Sequence, residues 1–126
     1  SANKNFASEN ETIAAISREL MSVKTEFECP ILLLAQLNRE CEKRPNKRPV
    51  LPDLRDSGAL EQDANVVMFL YRDELYNEDS PDKGVAEVII AKNRAGMQDT
   101  VRLAFQGSYQ RFENLADHYQ QGWNRT

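Results

Sequence analysis

The sequence predicts an α/β fold on three observations. A helix-period apolar stripe covers residues 10–28, short uninterrupted apolar runs stand at 31–35 and 66–71, and two β-rich runs near the end flank a polar turn. A helix followed directly by a continuous apolar run of strand length is the αβ half of a βαβ unit, whose strand is covered on both faces. The closing pair of runs adds an antiparallel hairpin. The predicted architecture is therefore parallel core strands plus a terminal antiparallel β-hairpin.

The elements follow in order. Ile13, Ile16, Leu20, Val23 and Phe27 repeat at the spacing of one helical face, Ser8 or Asn10 supplies a cap, and Pro30 ends the helix. The strand Ile31-Leu-Leu-Leu-Ala35 leads into Gln36-Leu-Asn-Arg39 at its carboxyl end. Pro45, Pro49 and Pro52 with little apolar material make 39–52 a long loop, a kind that is functional or disordered in compact domains. A short helix over 57–63, capped by Ser57, precedes the second apolar strand, 66–71, and an exposed acidic loop, 73–82. In the hairpin, 86–92 and 100–105, the residues Val101, Leu103 and Phe105 alternate with Arg102 and Ala104. A turn at Gly107-Ser108 leads to a further run at 109–112, and residues 115–126 form a tail that is a short helix or frayed, with no role for Trp123.

Bulk properties narrow the function classes. At 126 residues the chain is one domain or part of one, with 40% hydrophobic and 29% charged residues, as in soluble globular proteins. No run approaches the roughly 20 apolar residues of a membrane span, so no membrane partner is expected. The opening Ser1-Ala-Asn-Lys-Asn5 has no signal-peptide pattern, and a start on Ser reads as a cloning boundary with residues 1–8 a linker. Cys29 and Cys41 lack metal-ligand spacing and read as free thiols in a reducing cytoplasm, although spacing leaves a bridge open. No metal site is expected. The net charge of −4 argues against a general DNA-coating surface, yet Lys43, Arg44, Lys47 and Arg48 form a local basic cluster. That cluster is either a solvated loop or a phosphate contact.

Two absences shape the reading. The chain contains no Gly-x-x-x-x-Gly-Lys-Ser/Thr phosphate loop, and no apolar strand ending in Asp precedes the first helix. An α/β sheet that begins this way lacks neighbours for its first strand, so the chain is expected to be a fragment with sticky edges that self-associates.

Three stretches together resemble one family. Ile16-Ser-Arg-Glu-Leu20 with Ala35-Gln-Leu-Asn-Arg39 is similar to the helix and strand after the second nucleotide-binding motif of DnaB-type replicative helicases. The run Lys47-Arg-Pro-Val-Leu-Pro-Asp-Leu-Arg-Asp-Ser-Gly-Ala-Leu-Glu-Gln-Asp-Ala-Asn-Val-Val-Met-Phe-Leu-Tyr-Arg-Asp-Glu74 resembles the family's most distinctive segment. Ile89-Ile-Ala-Lys-Asn-Arg-Ala-Gly96 with Thr100-Val-Arg-Leu-Ala-Phe105 resembles its terminal hairpin. The resemblance implies the C-terminal portion of a RecA-like P-loop NTPase motor over residues 9–114, followed by the 115–126 tail. It further implies a hexameric ring around single-stranded DNA, ATP and Mg2+ at subunit interfaces, and ATP-driven 5′-to-3′ unwinding at the replication fork.

The resemblance assigns roles residue by residue. Gln36 matches the polar sensor at a strand's carboxyl end, where an amide can bind a γ-phosphate oxygen or the attacking water; otherwise it satisfies nearby backbone. Lys92 and Arg94 match the Lys-x-Arg pair that reaches the neighbouring subunit's ATP; a guanidinium supplied this way contributes about 10³–10⁵ in rate. Strand alternation would put both on one face, and the plainer alternative is two exposed charges at a hairpin end. Ala91 is a mild departure from the Gly or similar small residue before the Lys, and Ala95 replaces the Asn common before Gly96. Arg55, Asp56 and Gly58 match the loop that grips the DNA backbone: Arg pairs with phosphate, Asp orients it, and Gly allows close approach. A capped helix start would account for the same residues without DNA, and the two readings are compatible. Consecutive Glu61, Gln62 and Asp63 point in different directions on a helix and share no ion, and His118 receives no catalytic role.

The expected function is thus an interface and DNA-loop fragment of a helicase, inactive as an ATPase and with no nucleotide bound to it alone. Its expected partners are single-stranded DNA, neighbouring helicase subunits, primase and a helicase loader. The alternative is a stand-alone, non-catalytic module that binds single strands or a helicase partner. A primase-fused phage helicase is disfavoured by the long match over 47–74.

Overall fold

The computed structural model describes residues 2–115, with side chains described outside 2–8 and 55–57. The tail beyond Leu115, with Trp123 and His118, lies outside the described residues. The chain divides into two compact units, Ser1–Val67 and Met68–Thr126.

The first unit is built on α1, Ala2–Phe27, which starts well before the expected cap at Ser8 or Asn10. Glu28 follows in the left-handed region with φ 49°, the conformation that closes many helices, and Pro30 prevents resumption. The buried face of α1 matches the expected one only in part, with Ile13 and Leu20 half-buried. Ser17 is its buried centre, while Ile16, Val23 and Phe27 are exposed. Polar bonds set this rotation: Ser17 Oγ donates to Asp63 Oδ2 at 2.5 Å, and Lys24 Nζ donates to Asn65 Oδ1 at 3.1 Å. Asp63 ends α2, Gly58–Asp63, the short helix expected after Ser57.

Residues 31–35 belong to no helix or strand, which corrects the expected first strand. Leu32 and Leu34 are 77% and 85% exposed. An inner strand takes every ladder hydrogen bond from neighbours, and no described segment pairs with this one. The expected loop 39–52 is more ordered than proline content suggested. It contains a 3-10 turn at Arg39–Lys43, capped by Asn38 Oδ1 accepting from the Glu40 N–H at 3.1 Å, and a second 3-10 segment at Leu51–Ser57.

The second unit is built on a sheet of order β1-β2-β3-β4, Val66–Tyr71, Val85–Asn93, Asp99–Gln106 and Arg111–Asn114, of which only Val66 and Val67 fall in the first. β2–β3 and β3–β4 are antiparallel, with Val88 opposite Val101 and Phe105 opposite Phe112. In β1, Phe69 and Tyr71 are buried and Met68 and Leu70 exposed, so one face of this apolar strand meets solvent. Val85, Ala86 and Leu115 complete the buried apolar set. The clean alternation expected of β3 is blurred, because Val101 is exposed and Arg102 pairs with Asp82. The acidic loop is anchored as well: Ser80 is buried, and the Tyr71 hydroxyl donates to Asp73 Oδ1 at 2.8 Å. No helix among the described residues is long and apolar enough to cross a membrane.

Candidate functional site

Gln36 is exposed and lies in the irregular stretch before the Arg39–Lys43 turn, not at the end of a formed strand. Its amide is therefore held by neither a ladder nor a helix here.

The basic cluster proves to be mostly structural. Arg44 makes a forked pair with Asp53, Nη1 to Oδ1 at 2.7 Å and Nη2 to Oδ2 at 2.9 Å. Nη2 also donates to the Arg48 carbonyl at 3.0 Å, and Lys47 Nζ donates to the Arg44 carbonyl at 3.1 Å. The Asp53 carboxylate, only 5% exposed, further accepts the Val50 N–H at 2.8 Å. Forked, charge-assisted bonds of this kind fix direction as well as distance. The hydrogen bond to Asp53 raises the Arg44 pKa above its ordinary range, against the smaller opposing effect of burial, so Arg44 stays charged. Lys43 pairs with Glu40 at 2.9 Å on the surface. The phosphate-contact expectation thus fails to account for Arg44, which is committed to a buried carboxylate.

Arg55 and Asp56 follow two and three positions after Asp53 in the Leu51–Ser57 segment, where Leu54 departs from helical geometry at φ −89°, ψ 18°. Gly58 has ordinary right-handed helical angles, φ −56° and ψ −34°. A Cβ there would meet no atom within 4 Å. Neither conformation nor packing requires glycine at this position.

In the hairpin, Lys92 is half-buried within β2, whereas Arg94 is exposed in the turn after the strand's last residue, Asn93. The alternation that was to put both on one strand face therefore ends before Arg94. The turn has its own fastening. The Gly96 N–H donates to the Asn93 carbonyl at 3.4 Å, and Asn93 Nδ2 donates to the Met97 carbonyl at 3.2 Å. A Cβ on Gly96 would lie 2.8 Å from that amide nitrogen, so glycine here makes room for the Asn93 side chain.

A second cationic centre was not anticipated from the sequence. Arg72 lies over the Phe105 ring at 4.1 Å and donates to Glu74 Oε1 at 2.7 Å, while Glu74 Oε2 accepts the Gly84 N–H at 3.1 Å. The Arg72 hydrogen bond first, then the Gly84 N–H, hold the Glu74 carboxyl below its ordinary pKa. Arg72 Nε is buried without a hydrogen-bond partner, which the ring contact only partly offsets. An Arg with a Glu two residues on and an aromatic strand nearby was the available signal. Sequence could not show that the strand with Phe105 would lie beneath Arg72.

These features can be compared with known proteins. "Replicative DNA helicase DnaB" of Pasteurella multocida is 58% identical over 105 residues, 83% of this chain and 22% of that protein. The Haemophilus influenzae protein of the same name is 54% identical over 112 residues, covering 87% and 24%. The chain thus spans under a quarter of the length of these relatives. Among solved structures, one described as an ATPase domain superposes with TM-score 0.82 at 48% identity over 85% of this chain and 38% of that one. A structure described as a DnaB-like replicative helicase and its interactions with primase gives the same TM-score, 0.82, at 48% identity over 85% and 26%. The RecA-like α/β class expected from the sequence is that of these neighbours. With the DnaB-like helicase C terminal domain profile matching residues 1–114, the chain belongs to that family.

Proposed function

We propose that this chain carries the nucleotide-sensing, trans-cation and strand-gripping part of the motor of a hexameric, ATP-driven replicative DNA helicase that unwinds 5′ to 3′. Gly58 is the observation that carries the reading. It is the first residue of α2, in helical conformation with open space around it, so neither a positive φ nor a crowded Cβ accounts for it. A backbone that must admit a phosphate closely supplies the missing reason for glycine, and nearby Arg55 supplies the charge. Contacts to backbone instead of bases suit a motor that moves along any sequence.

For nucleotide, Lys92 and the exposed Arg94 are the cations that would meet a triphosphate on a neighbouring subunit, and Gln36 the amide that senses it. ATP would supply a γ-phosphoryl group whose transfer redistributes charge over its oxygens and the leaving oxygen; these side chains would orient the group and stabilise that charge. Mg2+ would enter with that ATP on the neighbouring subunit; among the described residues here no group of three or more His, Cys, Asp and Glu side chains converges. Primase and a loader are carried as partners of the whole motor, in line with the primase named for one structural neighbour.

Anisotropy of labelled oligo-thymidine with the 126-residue chain tests the reading. Salt-sensitive binding is expected, lost in Arg55→Ala. Gly58→Ala is expected to weaken binding about fivefold or more while leaving stability equal or higher. Binding indifferent to both substitutions overturns the assignment. The chain alone is expected to show no ATP turnover; turnover abolished by a substitution within it overturns the division of labour.

A further inference from the structure

We infer that the Arg44–Asp53 pair is a latch that positions the strand-gripping segment 55–58 and is not itself a phosphate contact; the inference rests on the proposed role of that segment. Asp53 belongs to the same 3-10 segment, Leu51–Ser57, as Arg55, two residues ahead of it. Its carboxylate is buried and engaged from two sides, by the Arg44 fork and by the Val50 N–H. The Asp53 N–H donates back to the Val50 carbonyl at 2.9 Å. The fork therefore closes the proline-bearing loop 45–52 and fixes where the Leu51–Ser57 segment begins. The non-helical Leu54 then sets the direction in which 55–58 leave. Arg44 is itself oriented by the Arg48 carbonyl, which draws the whole loop toward the same guanidinium.

A phosphate that took the two donors of the fork would leave a buried carboxylate without its partner, a costly exchange. Charge alone also does not define the latch. Lysine offers a point charge and no planar fork, so it cannot hold both carboxylate oxygens and the Arg48 carbonyl in this geometry.

The test measures oligo-thymidine affinity of the 126-residue chain for wild type, Arg55→Ala, Arg44→Lys, Asp53→Asn and the Arg44→Lys/Asp53→Asn double variant, with amide exchange alongside. Arg44→Lys is expected to weaken binding about tenfold although it keeps the charge. Asp53→Asn is expected to weaken it similarly, although removing a negative charge should by electrostatics alone tighten it. The double variant should be no weaker than the worse single one, since both act through one pair. Amides over 50–58 should exchange faster in both single variants while those of α1 keep their protection. Wild-type affinity in Arg44→Lys, or tighter binding in Asp53→Asn, overturns the latch. Should Asp53→Asn also melt α1, Arg44→Lys decides alone. Absence of wild-type binding, or indifference to Arg55→Ala, instead sinks the reading of 55–58 and the latch with it. A loss in Arg55→Ala with both latch variants unaffected sinks the latch only.

Discussion

Replacing Glu74 with alanine removes the acceptor shared by Arg72 and Gly84, at 2.7 and 3.1 Å. A hydrogen bond to a charged group is worth about 1.5–3 kcal/mol net. Arg72 and Glu74 side chains are 27% and 24% exposed, so the lower end applies. The Gly84 N–H, left without its acceptor, adds about 0.5 kcal/mol, giving a loss of about 2 kcal/mol or about 30-fold in the opening equilibrium. Exchange of β2–β3 ladder amides reads this, because the slowest amides report opening of the whole cooperative unit. Glu74→Gln keeps an acceptor for Gly84 and should lose about half as much. The pH dependence has a definite sign. Glu74 is held below its ordinary 4.5 in the folded chain, so its contribution is complete above that value and fades as pH falls through the lowered pKa. Glu74→Ala should remove this acid-side slope. Acceleration below about threefold at neutral pH would refute the network as a stabilising element of the sheet.

Other outcomes follow from the same geometry. Ser17→Ala should cost about 1.5 kcal/mol, seen as faster exchange in α1 and α2, since Ser17 is 3% exposed and bonds Asp63 at 2.5 Å. Gly96→Ala must shift the Asn93 amide and weaken its exposed bond to Met97, costing about 0.5 kcal/mol by the same exchange measurement, with the loss confined to the hairpin end. The exposed Leu32 and Leu34 should drive self-association detectable by light scattering, and Leu32→Glu/Leu34→Glu should reduce it.

The legible parts of the fold were those fixed by local pattern. The β2–β3 hairpin carries its strand and turn signals within two dozen residues, and its bounds differ from expectation by a residue or so. α1 was visible from its period, but not its rotation: the periodicity of Ile16, Val23 and Phe27 demands a partner without naming one, and Ser17 faces the partner present. The apolar run at 31–35 likewise demands strand neighbours that no described segment provides. At the site, Gln36, Arg55, Asp56, Gly58, Lys92 and Arg94 came from resemblance. The roles of Arg44 and Asn93 did not, because each depends on a partner chosen only once the loop closes.

By itself the sequence determined the two helices, the strand at 66–71, the hairpin, the family and the clustering of positive charge at 43–48. Those follow from period, composition and motif, which act over a few neighbouring residues. Tertiary structure alone decided which charges the chain engages itself. Arg44 was drawn to a buried carboxylate nine positions on and Arg72 to a ring 33 positions on, whereas Gly58 was left with open space. A charge reads identically in sequence whether it meets solvent, phosphate or its own chain. The difference is made by desolvation and geometry, which exist only in the folded molecule.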